Sequence, residues 1–267
     1  MRSVKEALDF GAKRLKEACD RPRFEAAILL GRASGLSRAE LALKEEALID
    51  DAPFEAMIAR RERGEPIEYI TGFAGFYSRE FLCESGVLIP RPETEFLVDR
   101  ALALAKDFAA PIFAEIGVGS GAVALTLLAL EPNARVIATD ISVEAIALAA
   151  KNAERFGVAD RLELICANLL EGVNSRFDIL LSNPPYIRAD YPLPRPVLFE
   201  PKTALIGGER GTEILEAIIA LKKPILACEC GYDQEEILRA KLDENGYRSV
   251  AFYKDYAGLT RGFTATL

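Results

Sequence analysis

Hydrophobic positions recur with two different periods along this chain, and the change from one to the other falls near residue 70. Ahead of it, Val4, Ala7, Leu8 and Leu15 form a helical stripe behind Ser3-x-x-Glu6. That spacing is a capping box, in which the serine hydroxyl and the glutamate carboxylate each take a backbone N–H left free at a helix start. Ser37-x-x-Glu40 repeats the pattern, and between the two boxes Pro22 to Arg32 carries Phe24, Ala27, Ile28 and Leu30. Pro53 to Arg63 carries Phe54, Met57 and Ile58. Together these segments predict a small bundle of about four helices. Gly64-Glu65-Pro66 ends it, and residues 70–88, with Gly72, Gly75, Gly86 and several aromatics, predict a short β-hairpin linker.

From Ile89 onward, short apolar runs alternate with helical stripes. Pro92 with Glu93 and Glu95 predicts a helix running to about Lys106. Strands follow at Ile112, Val136, Leu162 to Cys166, Phe177 to Ser182 and Ile225 to Cys230, interleaved with helices at Ala122 to Leu130, Ser142 to Phe156, Thr212 to Lys222 and Gln234 to Asn245. Two further strands close the chain near Phe252 and Phe263. Such alternation predicts an α/β fold with a mainly parallel sheet and helices on both faces. A ligand then belongs outside the carboxyl ends of the strands, where Gly119, Asp140, Asn168 and Asn183 all fall.

Composition narrows the chemistry. The 267 residues contain no histidine, so triads and dyads built on histidine, imidazole bases and His-containing zinc sites are excluded. Five cysteines, with no CxxC spacing and an odd count, argue against a disulfide framework or an all-cysteine zinc site and fit a reducing cytoplasm. Cys228 and Cys230 lie two apart in a strand and read as core positions facing one way. The net charge of −8 is spread over both parts, with 14 basic and 16 acidic side chains in residues 1–88, so no phosphate-gripping footprint shows. The run Arg60, Arg61, Arg63 reads as a solvated helix face. Neither a signal-peptide core nor an apolar stretch long enough to span a membrane is present.

The run Pro111 to Ile116 enters Gly117-Val118-Gly119-Ser120-Gly121 and then a helix, the layout of a nucleotide-binding crossover. Asp140 ends the next strand, about 20 residues on, where a carboxylate can accept from ribose hydroxyls. Read as Gly117-x-Gly119-x-x-Ala122, the loop also satisfies the dehydrogenase pattern, so NAD competes for it. Glu115 discriminates, because a carboxylate two residues before the loop repels a pyrophosphate but suits a ligand with an ammonium and a sulfonium, S-adenosylmethionine.

Asn183-Pro184-Pro185-Tyr186 follows a strand directly. The prolines have no N–H and a fixed φ, so the turn enters neither helix nor ladder, and its carbonyls stay available. A backbone carbonyl and the Asn183 amide oxygen can together hold both hydrogens of an –NH2 group, while Tyr186 offers a face for a planar group. Such a grip orients a delocalised nitrogen for attack on an electrophile. The alternative is a plain strand-ending turn, since Asn-Pro and Pro-Pro are common turn dipeptides.

Over nearly its whole length the chain resembles the release factor glutamine methyltransferases, the PrmC/HemK family. The matching stretches are Gly64-Glu65-Pro66-Ile67-Glu68-Tyr69-Ile70-Thr71-Gly72, Leu88-Ile89-Pro90-Arg91-Pro92-Glu93-Thr94-Glu95, Glu115 to Gly121, Ser182 to Ile187 and Phe199-Glu200-Pro201. The resemblance implies a Rossmann-like class I methyltransferase sheet, its last strand antiparallel. It divides the chain into a helical substrate-docking domain (1–69), the hairpin linker (70–88) and an S-adenosylmethionine-dependent domain (89–267). The implied reaction is methylation of the glutamine amide in the Gly-Gly-Gln motif of class 1 peptide chain release factors, by a cytoplasmic monomer with no direct nucleic-acid contact. Asn183 and the Pro184 carbonyl would hold the amide, with Pro185 and Tyr186 completing the site. Gly117, Gly119 and Gly121 would admit the cofactor, Glu115 would lie near its methionine end and Asp140 at its ribose. Arg91, Glu93 and Glu200 would stand near the substrate mouth.

Two departures from the family pattern stand out. Asn168 occupies a place near adenine where relatives usually carry aspartate, and the region Thr212 to Ile225 is shortened. An adenine-N6 methyltransferase of DNA, using the same grip on a flipped base, and a non-catalytic release factor binding module are the alternatives.

Overall fold

A two-residue strand β1 (Arg2–Ser3) leads into helix α1 (Val4–Arg14), whose capping box forms with both reciprocal hydrogen bonds between Ser3 and Glu6. Helix α2 (Pro22–Ser34) starts on its proline and stops at Gly35 in the left-handed conformation. Helix α3 (Arg38–Leu43) opens on the second box, Ser37 with Glu40. Strand β2 (Leu48–Ile49) pairs antiparallel with β1, and α4 (Ala52–Glu62) and α5 (Ile67–Thr71) complete the bundle. Val4, Ala7, Leu29, Leu30, Phe54 and Ile58 form its core. Gly11 lets α1 approach closely, since a Cβ there would meet the Phe54 ring at 2.6 Å and Ala26 at 2.9 Å. The bundle has a fifth helix because Pro66 and the left-handed Gly72 bracket one extra turn, in residues whose last part reads from sequence as hairpin.

The arginine run is not the solvated face its charge implied. Arg61 is buried, and its Nε donates to Glu25 at 2.6 Å, while Arg60 donates to Glu65 at 2.9 Å. Two of the three guanidinium groups thus pair with a carboxylate within the bundle, and Arg63 alone is exposed as the charge pattern implied.

Strands β3 (Phe73–Phe76) and β4 (Arg79–Leu82) form the hairpin, turning through Tyr77 and Ser78, both at positive φ as a two-residue hairpin turn demands. A 3-10 turn (Pro92–Thr94) then begins α6 (Glu95–Ala105). The Tyr77 N–H donates to Glu95 at 2.6 Å and its hydroxyl to Asp99 at 2.8 Å, so the hairpin tip is tied to α6. Phe81 is fully buried against Phe156, ring centroids 4.7 Å apart.

The alternating segments appear as β5 (Ile112–Ile116), α7 (Ala122–Leu130), β6 (Arg135–Asp140), α8 (Val143–Phe156), β7 (Leu162–Cys166) and β8 (Ile179–Ser182). A small parallel pair, β9 (Ile187–Arg188) and β10 (Ile206–Gly208), lies in what reads from sequence as polar loop. Then come α9 (Glu213–Ala220), β11 (Ile225–Glu229), α10 (Glu235–Glu244), β12 (Ser249–Lys254) and β13 (Thr260–Thr266). The seven-stranded sheet has the order β12-β13-β11-β8-β5-β6-β7, parallel except for β13, which runs antiparallel to both neighbours. Adjacent residues serve opposite faces: Phe113 and Leu181 join one hydrophobic cluster, Ala114 and Leu180 the other. Cys228 and Cys230 both enter the second cluster, and burial pushes both thiols up, Cys230 to about 12.

The computed structural model describes residues Met1–Leu267, gathered into two units: Met1–Phe73 with Leu193–Phe199, and Ala74–Pro192 with Glu200–Leu267. No helix is long and apolar enough to cross a membrane. In the second unit β5 has β6 on one side and β8 on the other, so the chain order reverses there and a crevice opens at the carboxyl ends.

Candidate active site

The glycine loop leaves β5 at that crevice. Gly117 and Val118 donate their N–H groups to the Thr139 carbonyl at 2.8 and 3.0 Å, which folds the loop over the end of β6. Gly119 donates to Asp140 Oδ2 at 2.9 Å, and Ser142 donates to Oδ1 at 2.9 Å. Asp140 therefore fastens the loop to the start of α8, while each of its oxygens keeps a lone pair for a ligand hydroxyl. Gly117, Gly119 and Gly121 all have positive φ, but they differ in what lies next to them. A Cβ at Gly119 would meet nothing within 4 Å, whereas one at Gly121 would press on Leu125 at 2.8 Å. Gly119 thus faces open space that a ligand can fill, and Gly121 serves helix packing rather than ligand approach.

The sequence places Glu115 at the ligand. In the structure it lies buried beneath the loop and off the cavity wall, accepting from the Ala124 N–H with one oxygen and leaving Oε2 without a partner. Burial pushes its carboxyl well above the usual range. The electrostatic discrimination drawn from Glu115 needs its negative charge, and burial opposes that charge, so the discrimination does not rest on Glu115 in the folded protein.

A cavity of about 300 Å³ opens over this loop, within the size range of small-molecule sites. Its walls include Leu88 after the hairpin, Gly117 and Gly119, Asp140, Ile141, Asn168 and Leu169, and, across from them, Asn183, Pro185, Pro201 and Ile206. Ile141 is 59% exposed yet lines the cavity, an apolar shelf beside Asp140 that the strand pattern did not flag. Asn168 also lines it, its Nδ2 donating weakly to Glu171 at 3.4 Å.

The Asn-Pro-Pro-Tyr turn stands at the end of β8. Asn183 Nδ2 donates to Thr94 Oγ1 at 2.9 Å, and Thr94 donates in turn to Glu229 Oε2 at 2.7 Å. Tyr186 donates its hydroxyl to the other oxygen, Oε1, at 2.8 Å. The Tyr186 carbonyl is claimed by Gln234 Nε2 at 2.9 Å, but the Pro184 carbonyl accepts no hydrogen bond from the protein. The Tyr186 ring is partly buried with its hydroxyl turned inward, and Asn183 and Pro185 rather than Pro184 and Tyr186 form the cavity wall. Glu229 is buried at the end of β11, and burial pushes its carboxyl up to about 7 against the pull of the Thr94 and Tyr186 hydrogen bonds.

Arg91 and Glu200 form an ion pair, and Glu200 also accepts from the Ile89 N–H at 3.1 Å. The pair braces the segments that carry Leu88 and Pro201 into the cavity wall, without reaching the wall themselves. Glu93 lies elsewhere, in a separate groove with Glu95, Phe96, Asp99 and Tyr256. The 3-10 turn explains the split, since it buries Thr94 and leaves its neighbour Glu93 outside. The shortened segment after α9 turns through Lys222, at positive φ, into the amino end of β11, the end away from the glycine loop.

Thr94, Glu229, Gln234 and Asn152 are site residues that sequence reasoning missed. Asn152 accepts from the Leu82 N–H at 2.8 Å and donates to the Ser120 carbonyl at 2.9 Å, joining hairpin and glycine loop. A signal did exist for two of them, because Glu229 is a carboxylate inside an apolar strand and Asn152 lies on the buried stripe of α8.

Residues 6–72 match the PrmC N-terminal domain and residues 94–191 the methyltransferase small domain. The solved hMettl16 catalytic domain superposes with a TM-score of 0.57 at 16% identity, covering 81% of this chain and 94% of that one, a likeness of fold. Crevice, loop and turn thus belong to a Rossmann-like methyltransferase. The chain is 38% identical over 277 residues to the release factor glutamine methyltransferase of Moorella thermoacetica, covering 98% of both. It is 34% identical to the bifunctional methyltransferase of Rickettsia conorii, spanning 97% of this chain and 57% of that longer protein. It belongs to the release factor glutamine methyltransferase family.

Proposed function

We propose that this protein methylates the side-chain amide nitrogen of the glutamine in the Gly-Gly-Gln motif of class 1 peptide chain release factors, using S-adenosylmethionine. The observation that carries the reading is the orientation of Asn183 on the cavity wall. Asn183 spends its amide N–H on Thr94, which leaves Oδ1 to the acceptor, and the Pro184 carbonyl is unclaimed. Acceptor oxygens on two successive residues can take both hydrogens of an –NH2 group, which a hydroxyl or a thiol does not have.

The cofactor fits the residues present. Gly117 and Gly119 leave room against the backbone, Asp140 takes the ribose hydroxyls, and Ile141 and Asn168 offer an apolar face and a hydrogen-bonding edge to the adenine. When bound, S-adenosylmethionine supplies a methyl carbon on a sulfonium, and its sulfur keeps the bonding pair as the glutamine nitrogen takes the methyl. The chain's part is orientation. The Asn183 and Pro184 oxygens hold both amide hydrogens, and those bonds strengthen as positive charge develops on the nitrogen. The extra proton passes to water, so the absence of histidine costs nothing.

The helical unit is assigned the docking of the release factor. The segment Leu193–Phe199, downstream of the turn in sequence, groups with that unit. Five cysteines, none in a disulfide, support a cytoplasmic setting. Incubation of a purified class 1 release factor with the protein and methyl-labelled S-adenosylmethionine tests the assignment. Label on the release factor is expected; label only on an added adenine-containing DNA would overturn it.

A further inference from the structure

A carboxylate can only accept hydrogen bonds, a hydroxyl has one hydrogen to give, and an amide has one end that donates and one that accepts. These rules give the chain Asn183–Thr94–Glu229 a direction. With Glu229 ionised, the Thr94 hydrogen must go to Glu229 Oε2, 2.7 Å away, so Thr94 can only accept from Asn183, 2.9 Å away. The Asn183 NH2 is thereby turned toward Thr94 and its oxygen toward the acceptor. With a donor in place of the carboxylate, the chain reverses: Thr94 gives its hydrogen to Asn183 Oδ1, and the NH2 swings toward the substrate amide, where donor meets donor.

We propose that Glu229 is a positioning residue for the methyl transfer, acting through Thr94 to fix which way round the Asn183 side-chain amide stands. The inference deepens the reading given above and rests on it for the identity of the acceptor. Glu229 touches neither cavity nor acceptor, so its influence travels through the hydroxyl. The surroundings leave it little freedom. Gly262, its partner on β13, has no room for a side chain, because a Cβ there would collide with the Tyr253 hydroxyl and the Cys228 carbonyl. Tyr186 holds Oε1. The groups that bear on the charge of Glu229 are Glu93, which disfavours it, Arg261, Thr94 and Tyr186, which favour it, and the raised Tyr253 and Cys230 nearby. Because its carboxyl is held near neutrality, the direction of the chain should respond to pH in the physiological range.

The test removes the charge and keeps the shape. Glu229→Gln preserves the number of hydrogen bonds but can face Thr94 with either its oxygen or its NH2, because Tyr186 can donate or accept, so the direction of the chain is no longer fixed. In the full-length protein it should lower kcat for release factor methylation by about 10²-fold, the scale of one lost transition-state contact, with S-adenosylmethionine affinity unchanged. Thr94→Val should do the same and Thr94→Ser should restore the rate, whereas a merely structural Glu229 predicts a stability change with kcat intact. The wild-type rate should rise with pH about a midpoint near 7, and this step should vanish in Glu229→Gln.

A second readout needs no acceptor. The side-chain amide signal of Asn183, assigned by its loss in Asn183→Asp, should shift in 15N NMR spectra as pH crosses 7 in the wild type and stay fixed in Glu229→Gln. A wild-type signal that does not titrate, or wild-type kcat in Thr94→Val, overturns the inference. A titrating signal in a protein that leaves release factors unmethylated upholds it and overturns the choice of substrate.

Discussion

At the level of single residues, the role proposed for Asn183 depends on the neighbours that hold its side chain, Thr94 and behind it Glu229. Asn183→Ala removes the acceptor oxygen but none of the loop or Asp140 contacts, so methyl transfer should fall by about 10²- to 10³-fold while S-adenosylmethionine binding is nearly kept. Isothermal titration beside a rate measurement checks this; parallel loss of both would contradict the role. Glu229 shows the opposing demand of stability. Between its ordinary range and pH 7 the folded protein holds a proton there that the unfolded chain has already released. That proton favours folding at low pH, and the favour, up to about 3 kcal/mol for a shift of this size, is lost as pH rises through 7. Glu115 is shifted in the same sense and adds to the slope. Glu229→Gln should therefore gain stability relative to wild type between pH 5 and pH 8. Denaturant unfolding at both values checks it, and wild-type and variant curves that move together would refute it. A carboxylate that costs stability at working pH is the kind of residue that function retains.

Two elements converge on the crevice, the turn after β5 and the turn after β8, and glycine is used for different ends within the first. Gly121→Ala meets Leu125 at 2.8 Å and an unfavourable φ of +85°, and should cost about 1–3 kcal/mol of stability. Gly119→Ala has free space but sits at φ +53°, so it should cost about 1 kcal/mol of stability with no clash added, and its larger loss should be in S-adenosylmethionine affinity, about 10-fold or more, since the new methyl fills room a ligand needs. Thermal unfolding with and without cofactor separates the two; equal effects in both variants would undo the distinction. These elements were legible because strand, turn and helix signals are local: the β5 loop, Asp140 and the Asn-Pro-Pro-Tyr turn all follow from short runs. The pair β9 and β10 escaped notice because two or three residues are too few for a period to show. Thr94 escaped because its neighbours Glu93 and Glu95 read as a charged helix start, and only the 3-10 turn reveals which of the three points inward.

For the molecule as a whole, the order of elements and the parallel sheet could be read from alternation, while contacts across the sequence could not. Glu200 meets Ile89 from 111 residues away, and Thr94 meets Glu229 across 135. Pairings of that range depend on the finished fold. The helical unit has its own core and its own buried ion pair, Arg61 with Glu25. Glu25→Ala leaves Arg61 uncompensated and should destabilise that unit by about 3 kcal/mol. The stabilisation of the other unit by S-adenosylmethionine should persist, a result readable as two resolved transitions in calorimetry. A lowered cofactor response would show that the two are not energetically separable. The central claim, transfer to a glutamine amide, is tested most directly by tandem mass spectrometry. A class 1 release factor and its Gln→Ala variant in the Gly-Gly-Gln motif would each be incubated with the protein and S-adenosylmethionine. One added methyl on the glutamine of the motif peptide, absent from the variant, is the predicted result; a methyl on any other residue, or none from a protein that binds the cofactor, would contradict it.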